Sequence, residues 1–510
     1  MPLAPLRQNP SRRPTVRQKQ VKAPFGGWNA RDDITDMPAE DALVLDNLIP
    51  GDASVSLRRG KRDHCSGMNS PVLTLMEYSP PTGSASLFAA ITDKIFNVTV
   101  SGVIDPGTDA VVSSLSNGRW SHTMFATSGG NFLLCVNGAN GLRSYNGAAW
   151  ATESLTGVTA ANLVTITSHQ SRVWMIEENT MKVWYLDPLA KSGTATSIDF
   201  AALSKLGGKL MAMASWTRDS GVGIEDLAVF ITSQGEVHIY AGSDPASADT
   251  WSRVGTFKIA EPIGRRCLIK VGGDIGVLTT QGLVPLSGVL SRAESAQGQV
   301  AISDKVRDAY TKAQSRSRTM FGWQVTEFPT GKLLIVNVPI AENVTAEQFV
   351  MNSVNGKWCR FSGLNACCWG ILNGELYFGG ADGTVYRYAG SDDDGEDILA
   401  KSVSAFSDFG TPGNKSFDAL LPVFFGPAGY RPQVGLRLDY GEEEYLSPSI
   451  AFDSSGDEWD SEDWDVCSWA PASAPNKLWQ GIVGEGITAA VVISISTSET
   501  MTYNGAMIRF

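Results

Sequence analysis

The sequence predicts an all-β protein: a β-propeller of about six to eight blades with an N-terminal extended arm and a C-terminal β-sandwich-like domain. Short runs of β-branched and aromatic residues recur along the chain, and a glycine-containing turn and a second run follow each of them. The chain has 52 glycines and 14 tryptophans, and long helical patterns are scarce. Its 510 residues, 43% of them hydrophobic, are enough to bury a large core.

The repeated runs occupy residues 73–390 and are spaced like propeller blades. Equivalent positions lie 39 to 63 residues apart, at Phe96, Tyr145, Tyr185, Tyr240, Leu286, Phe349 and Tyr388. A period of about 40–50 residues is typical of four-stranded blades, none of which buries its faces alone. Turns such as Gln281-Gly282 and Asp382-Gly383 predict hairpins with primed or bulged turns. A sandwich of unrelated hairpins is the alternative interpretation.

Residues 1–23 carry six basic side chains and no acidic one: Arg7, Arg12, Arg13, Arg17, Lys19 and Lys22. Several prolines and the lack of an apolar period predict an extended arm. The arm is either a solvated tail or a contact to an acidic neighbouring subunit or to nucleic acid. The net charge of −12 favours docking on another copy and disfavours wrapping of DNA by the whole surface.

The segment 24–72 is predicted to fasten the entry to the repeat domain. Thr35 or Asp36 can cap a short helix over residues 38–45, because proline is favoured in the first helical turn. Val55 and Leu57 alternate with polar residues, so they predict a strand that ends in a turn at residues 58–60.

One interruption of the repeats, over residues 303–316, is predicted to be helical. Ser303 stands at the capping position, and Val306, Tyr310 and Ala313 follow the i, i+4, i+7 spacing of one helix face. The other face is charged. We expect the helix to pack on the edge of the repeats or to face a partner.

Residues 391–510 are predicted to form the β-sandwich-like domain, because strand-like alternation continues there over a limited length. The acidic run 391–397 is interpreted as a solvated loop. It begins like the Ser-x-Asp-x-Gly of a sialidase Asp-box, but the Thr-Trp that should follow is missing. A second acidic run, 453–465, lacks EF-hand spacing, so a solvated loop is favoured over a calcium site.

No catalytic or metal-binding pattern stands out in the sequence. The histidines at 64, 122, 169 and 238 are scattered, and His238 is expected to be a core or surface residue rather than a base. The seven cysteines lack CxxC spacing and are expected to be free thiols. We therefore expect no enzyme, no cofactor and no metal. Neither a signal peptide nor a membrane-spanning segment is expected.

The order GGWN, MPAEDALVLDNLIP and VSLRRG resembles the opening of a family of virion proteins from tailed bacteriophages. These are the tail nozzle, tail hub or packaged-DNA-stabilisation proteins of short-tailed phages. The matching residues are Gly26, Gly27, Asn29, Met37, Pro38, Asp41, Ala42, Asp46, Asn47, Arg59 and Gly60. The inserted helix and the stretch 406–417 also resemble the family.

The resemblance implies a structural protein that forms a ring, usually a hexamer, below the portal and adaptor. Its channel would hold packaged double-stranded DNA and conduct it at ejection. The implied partners are other copies of the chain, portal and adaptor proteins, and tail fibres or spikes. The implied location is the virion tail, assembled in the host cytoplasm. The alternative function is a receptor- or glycan-binding propeller module of a phage tail, and a propeller glycosidase is a weaker third hypothesis.

Overall fold

The computed structural model describes residues 16–219, 224–290, 300–427, 432–448 and 475–510. These residues are mostly in strands, which form many small sheets. Helices are short in this part of the chain: α-helices at Leu286–Val289 and Arg307–Ser317, and 3-10 helices at Ala160–Asn162 and Asp304–Val306. None of these described helices is long and apolar enough to cross a membrane. The prediction of a β-rich chain is confirmed.

In the described residues, seven mainly antiparallel sheets follow one another, and the first four have four strands each. The first sheet contains Thr74–Tyr78, Ser86–Ala90, Ile95–Asn97 and Ala110–Val112. The second contains Ser121–Thr127, Gly130–Val136, Arg143–Tyr145 and Trp150–Thr152. The third contains Leu163–His169, Arg172–Glu177, Lys182–Tyr185 and Thr196–Asp199. The fourth contains Leu210–Asp219, Ile224–Thr232, Glu236–Gly242 and Trp251–Lys258.

The remaining three sheets are less uniform. The fifth has three strands, Leu268–Val271, Asp274–Thr279 and Gly282–Pro285. The sixth begins with Gln324–Phe328, Leu333–Ala341, Thr345–Asn352 and Lys357–Phe361. The seventh contains Ala366–Leu372, Glu375–Gly380, Val385–Arg387 and, from far upstream, Arg62–Ser66. Short parallel pairs add Gly102–Val103 to Arg62–Ser66 and join Leu155–Thr156 to Gly193–Thr194.

The positions chosen as equivalent in the sequence occupy equivalent places in these sheets. Five lie in the third strand of their sheet: Phe96, Tyr145, Tyr185, Tyr240 and Phe349. The other two, Leu286 and Tyr388, directly follow the third strand of theirs. The spacing in the sequence therefore follows the repeated hairpins.

The tight turns include one of the predicted primed type. Gln170 and Ser171 join the first two strands of the third sheet, with φ angles of 48° and 57°. Two positive φ angles are the signature of a type I′ turn, whose twist matches that of the strands it joins. Neither residue is a glycine or an asparagine, so this turn could not be predicted from residue type.

Apolar clusters lie between neighbouring sheets. Separate clusters connect the first sheet to the second, the second to the third, the third to the fourth and the fourth to the fifth. One large cluster includes residues of the fifth, sixth and seventh sheets together with the C-terminal strands. Another connects the seventh sheet to the first and contains Leu372 and Leu75. Each sheet thus buries apolar side chains against the sheets on both sides.

The C-terminal strands continue the sixth sheet instead of forming an isolated unit. Asp41–Asp46 pairs with the sixth sheet at Arg360 and with Ile398–Ser404, and it also pairs with Gly27–Trp28. Beyond it, the ten-stranded sheet continues through Ala489–Thr497, Gln433–Leu438 and Tyr445–Leu446. Strands from both sides of residue 391 therefore belong to one sheet.

A second C-terminal sheet has seven strands and shares the large apolar cluster with the first. Its members are Gln18–Lys22, Leu48–Pro50, Val55–Leu57, Lys415–Phe425, Pro475–Lys477, Gln480–Gly486 and Thr502–Arg509. The strand predicted at Val55 and Leu57 is confirmed. The two sheets bury a common apolar core.

The helix predicted over residues 38–45 is wrong. The chain forms turns before the strand Asp41–Asp46, and Asp33 accepts hydrogen bonds from the backbone N–H (2.9 Å) and hydroxyl (2.8 Å) of Thr35. An isolated helix of eight residues is only marginally stable. The strand instead satisfies its backbone groups by pairing with segments more than 300 residues away.

The helix Arg307–Ser317 and the 3-10 turn before it cover the range predicted from the sequence. Val306, Tyr310 and Ala313 are buried, as their spacing indicated, and the Tyr310 hydroxyl donates to the carbonyl oxygen of Thr279 at 2.5 Å. The predicted cap is wrong, because the Ser303 hydroxyl accepts the backbone N–H of Leu283 (3.0 Å) and does not cap the helix. The helix packs on the edge of the sheets.

Candidate functional site: the entry segment and the central cavity

The entry segment, residues 24–72, joins three sheets. Asp41–Asp46 lies in the ten-stranded sheet, Leu48–Pro50 and Val55–Leu57 lie in the seven-stranded sheet, and Arg62–Ser66 completes the seventh sheet. The residues that resemble the phage family fall mainly in this segment. Their contacts show what each contributes to the fold.

The Gly-Gly turn packs directly on the sixth sheet. Gly27 has a φ of 90°, and a Cβ at this position would lie 2.8 Å from the carbonyl oxygen of Trp358. Next to it, the amide of Asn29 donates to the buried carboxylate of Asp41 at 2.7 Å. The Lys305 ammonium donates to the other carboxylate oxygen of Asp41 at 2.6 Å and to the Gly26 carbonyl at 2.8 Å. The start of the inserted helix is thereby fixed to the entry turn.

Arg58 is the most completely buried cation of the segment, and each of its five N–H donors has an acceptor. Nε donates to Asn47 Oδ1 at 2.8 Å. The two terminal nitrogens donate to Asp393 at 2.9 and 2.7 Å, and to the carbonyl oxygens of Arg59 and Ser362. Asn47 also donates to the Leu399 carbonyl at 2.7 Å. This network, Arg58 with Asn47 and Asp393, connects the entry segment to the chain on both sides of the seventh sheet.

The acidic run 391–397 is not only a solvated loop. Arg62 makes a bidentate ion pair with Asp392, and that contact, together with the backbone N–H of Gly395, lowers the pKa of Asp392 to about 2. Asp393 pairs with Arg58. The run therefore acts as a counter-charge to two arginines of the entry segment.

Replacing Gly60 with alanine is expected to destabilise the protein by about 1–3 kcal/mol or more. An added Cβ would lie 1.7 Å from the backbone carbonyl oxygen of Asp392, so one of the two backbones must move. Urea unfolding followed by tryptophan fluorescence measures the change. Gly102→Ala is the matched control, because its Cβ would meet nothing within 4 Å. Equal stability of the two variants would contradict the close approach of the two segments.

The described part of the basic arm, residues 16–23, is bound by its own chain. Gln18–Lys22 pairs with the C-terminal strand Thr502–Arg509. Arg17 donates to Thr411 Oγ1 at 3.0 Å, and Lys22 pairs with Glu40 at 3.1 Å, while Lys19 lies exposed in the strand. Arg7, Arg12 and Arg13 lie outside the described residues.

The main cavity lies where the first strands of all seven sheets converge. Its volume is about 500 Å³, and every sheet contributes to its wall, for example through Thr74, Ser121, Ile166, Met213 and Leu268. Side chains link neighbouring walls: Ser121 Oγ accepts the backbone N–H of Ile166 at 3.2 Å. We call this space the central cavity.

Five cations line the central cavity: Arg119, Lys209, Arg265, Arg266 and Arg318. His122 also lines it, and the described lining residues include no aspartate or glutamate. Desolvation by the surrounding protein, and to a smaller extent the positive charge of Arg266, lower the pKa of His122 to about 4. His122 is consequently neutral near pH 7. The described cations of this wall can attract an anion.

The remaining sequence-predicted residues do not converge on this cavity. His238 is buried, its Nδ1 lies 3.1 Å from Thr256 Oγ1, and burial lowers its pKa. Six cysteines are free and buried, and Cys467 lies outside the described residues. No cluster of three or more metal-ligating residues occurs in the described ranges. The acidic run 453–465 also falls outside them.

The cations of the central cavity were missed because they come from separate turns and strands with no common motif. The one local signal was the pair Arg265-Arg266, which is unusual within an otherwise apolar stretch. Similarly, residues 58–62 are mostly basic and residues 392–394 are acidic, which could have indicated that the two segments form ion pairs. Their spacing in the sequence does not specify that Arg58 pairs with Asp393 and Arg62 with Asp392.

No family model matches this chain, and no curated protein matches it. Among solved structures, it is similar to the extracellular domain of a hybrid two-component system from B. thetaiotaomicron (11% identity, TM-score 0.43, covering 88% of this chain and 62% of that one). It is also similar to the WD40 β-propeller domain of Doa1 (9% identity, TM-score 0.36, covering 64% and 97%). A Bacillus subtilis glycoside hydrolase family 43 arabinoxylan arabinofuranohydrolase gives 11% identity and a TM-score of 0.25, covering 87% and 96%. None of these TM-scores reaches 0.5, so the architecture rests on the strand pairing of this chain.

Proposed function

We propose that this protein is a structural component of a bacteriophage tail, a nozzle or hub that assembles into a ring and catalyses no reaction. In this proposal the ring is a hexamer below the portal and adaptor proteins. Double-stranded DNA is retained in its channel and passes through it at ejection. Tail fibres or spikes contact its outer surface.

The position of the family-like residues carries this proposal. Gly27, Asn29, Asp41, Asn47 and Gly60 all hold the entry segment between sheets, through close backbone approaches or buried hydrogen bonds. A signature made of such framework residues is expected where related proteins share an architecture. A family defined by a reaction would instead share side chains that converge on a substrate site.

We further propose that the seven sheets are the blades of one closed propeller, completed by the strand Arg62–Ser66. Two observations support this. Apolar clusters lie between successive sheets and also between the seventh and the first. The first strand of the seventh sheet, Ala366–Leu372, also contacts the first strand of the first sheet, Thr74–Tyr78. Closure of this kind buries both faces of every blade.

The proposed DNA channel lies between protomers and not along the central cavity of one protomer. A cavity of about 500 Å³ has the size of a small-molecule site. The major groove of a DNA duplex alone is about 12 Å wide, so a duplex does not fit. The net charge of −12 gives DNA phosphates few cations to bind, which favours sliding through a channel that several copies form.

The basic arm has a part in this proposal. Arg17 and Lys22 contact residues of their own chain, and Lys19 lies in the strand that pairs with Thr502–Arg509. We assign Arg7, Arg12 and Arg13 to contacts with the acidic surface of a neighbouring protomer. Attraction of this kind between an arm and an adjacent subunit would weaken as salt concentration rises.

Native mass spectrometry of the purified full chain, alone and with its adaptor protein, tests the proposal. We expect a closed ring with six times the 54.6 kDa mass of one chain. Changing Arg7, Arg12 and Arg13 together to serine should reduce the ring fraction. Changing the exposed Arg253, Lys270 and Lys312 to serine removes the same charge elsewhere and should leave the ring intact. Monomers under all of these conditions would overturn the nozzle assignment.

A further inference from the structure

The central cavity carries more positive charge than the residues around it neutralise. Three of its five cations pair with glutamates: Arg119 with Glu342 at 2.5 Å, Arg265 with Glu178 at 2.9 Å and Arg318 with Glu261 at 3.5 Å. Those glutamates are not lining residues of the cavity, and each is more than a third exposed.

The two other cations have no carboxylate partner among the described residues. Lys209 donates to the side-chain oxygen of Asn179 at 2.8 Å. Arg266 donates through Nη2 to Thr74 Oγ1 at 2.7 Å and to the carbonyl oxygens of Leu73 and Trp120 at 3.1 and 3.4 Å. Five cations and three carboxylates leave two positive charges at the cavity. In a protein whose net charge is −12, this is a local reversal of sign.

Arg266 is incompletely satisfied even as a hydrogen-bond donor. Its Nη1 is buried and has no acceptor within the described protein. The indole Nε1 of Trp120, another residue that lines the cavity, is likewise buried without an acceptor. Unmade hydrogen bonds of buried donors are costly, most of all for a charged group. An oxygen-bearing ligand in the cavity would offer acceptors to such donors.

Arg119 and Arg266 contact the same aromatic ring. Their Cζ atoms lie 4.4 and 4.7 Å from the centre of Phe321, so the two carbons are at most about 9 Å apart. The aromatic ring holds both guanidinium groups by cation–π attraction but supplies no negative charge. Burial, and to a smaller extent the charge of Arg119, lower the pKa of Arg266. Two cations within about 9 Å of each other attract an anion to this part of the cavity.

The rest of the wall suits a small organic molecule. The aromatic residues Trp120, Phe321, Trp323 and Trp369 line it, together with the hydroxyl groups of Thr165 and Thr167. Small-molecule sites typically combine such apolar walls with a few polar anchors, in cavities of roughly 300–1,000 Å³. The central cavity has both features.

We propose that the central cavity binds a small ligand that bears a phosphate or carboxylate group, with Arg119 and Arg266 as the residues that contact the oxyanion. Lys209 and Arg266, the two cations without a described carboxylate partner, leave the cavity with two positive charges, which match a doubly charged group such as phosphate. The site belongs to a single protomer, so it does not depend on assembly into a ring. The proposal of a ring and the proposal of a ligand site can therefore be disproved independently of each other.

Isothermal titration calorimetry of the full chain tests this site. Inorganic phosphate and succinate serve as the two probes, in chloride buffers of equal ionic strength. We expect saturable binding of at least one probe with a stoichiometry of one per chain. Binding of phosphate alone assigns a phosphorylated ligand, whereas binding of succinate alone assigns a carboxylate ligand.

Matched variants identify the residues involved. Arg266→Gln and Arg119→Gln should each weaken binding at least about tenfold, the loss expected for a charge-assisted hydrogen bond. Arg253→Gln removes the same charge from the exposed outer strand of the fourth sheet and should leave the affinity unchanged. The Arg119 side chain is 46% exposed, so we expect Arg119→Gln to fold. This variant still tests the site if Arg266→Gln does not fold. The assignment would be overturned if neither phosphate nor succinate showed saturable binding. It would also be overturned if Arg253→Gln weakened binding as much as the Arg119 and Arg266 variants.

Discussion

Replacing Arg58 with alanine is expected to lower the free energy of unfolding by about 3–5 kcal/mol. The guanidinium is fully buried, with a side-chain exposure of 0%, and its partner Asp393 is only 13% exposed. Removal takes two donors from the Asp393 carboxylate and one from the Asn47 side-chain oxygen, which keeps its hydrogen bond from the Ser362 backbone N–H. Breaking one side of a buried ion pair is costly because the remaining charge stays away from water.

The neighbouring residue provides the control for this prediction. Arg59 is exposed, and its side chain takes no part in the Arg58 network. Arg59→Ala therefore removes an equal charge, and the free energy of unfolding should change by less than about 0.5 kcal/mol. Equilibrium urea unfolding at pH 7 compares the two variants with the parent chain. Similar losses in both would mean that net charge, and not the buried network, is responsible.

Replacing Trp358 with alanine is expected to cost a similar amount, about 3–5 kcal/mol. Trp358 is 1% exposed in the strand Lys357–Phe361, and its indole N–H donates to the Ile302 carbonyl at 3.1 Å. The substitution leaves a cavity in the large apolar cluster and removes the donor to the Ile302 carbonyl. The loss should appear as a lower urea midpoint and a lower thermal midpoint.

A second tryptophan tests whether burial is the cause. Trp479 is 38% exposed and contacts the guanidinium of Arg509 at 5.5 Å from its ring centre. Trp479→Ala should cost at most about 1 kcal/mol, the value of an exposed cation–π contact. If the two variants lost equal stability, the packing described around Trp358 would be incorrect.

The repeated hairpins could be predicted because their information is local. A strand, a turn and a second strand fit within about 20 residues, so a position such as Tyr145 or Tyr240 marks its strand wherever the neighbouring sheets lie. The inserted helix was predictable for the same reason, since Tyr310 and Ala313 share one face.

The long-range pairings could not be predicted. Residues 41–46 have a composition that suits a short helix as well as a strand, and the choice is made by partners near residues 360 and 400. Pairing of Arg62–Ser66 with Val385–Arg387 likewise depends on a partner about 320 residues away. Local preference is a weak guide where tertiary hydrogen bonds are available.

The candidate site was the least predictable part. Arg119, Lys209 and Arg266 come from different sheets or connecting segments, and their convergence depends on the arrangement of all seven sheets. A cluster assembled in this way leaves no spacing rule in the sequence. By contrast, Asn47 and Gly60 lie in the segment 24–72, which was predicted from the sequence to fasten the entry to the repeat domain.

The pairing of Cys65 with Val385 has a consequence for synthesis on the ribosome. At about 5–20 residues per second, the partner strand emerges roughly 16–64 s after the first one, given the 320 residues between them. During that interval Arg62–Ser66 can already pair with Gly102–Val103, which emerges early, and His64 Nε2 can reach the Val98 carbonyl at 2.8 Å. The edge of Arg62–Ser66 that later pairs with Val385–Arg387 is unpaired during that interval. The charges of Arg62 and Asp63 disfavour its pairing with strands of other nascent chains. The order of translation thus leaves the seventh sheet to be completed after the first five, and the ten-stranded sheet that contains the sixth is completed later still.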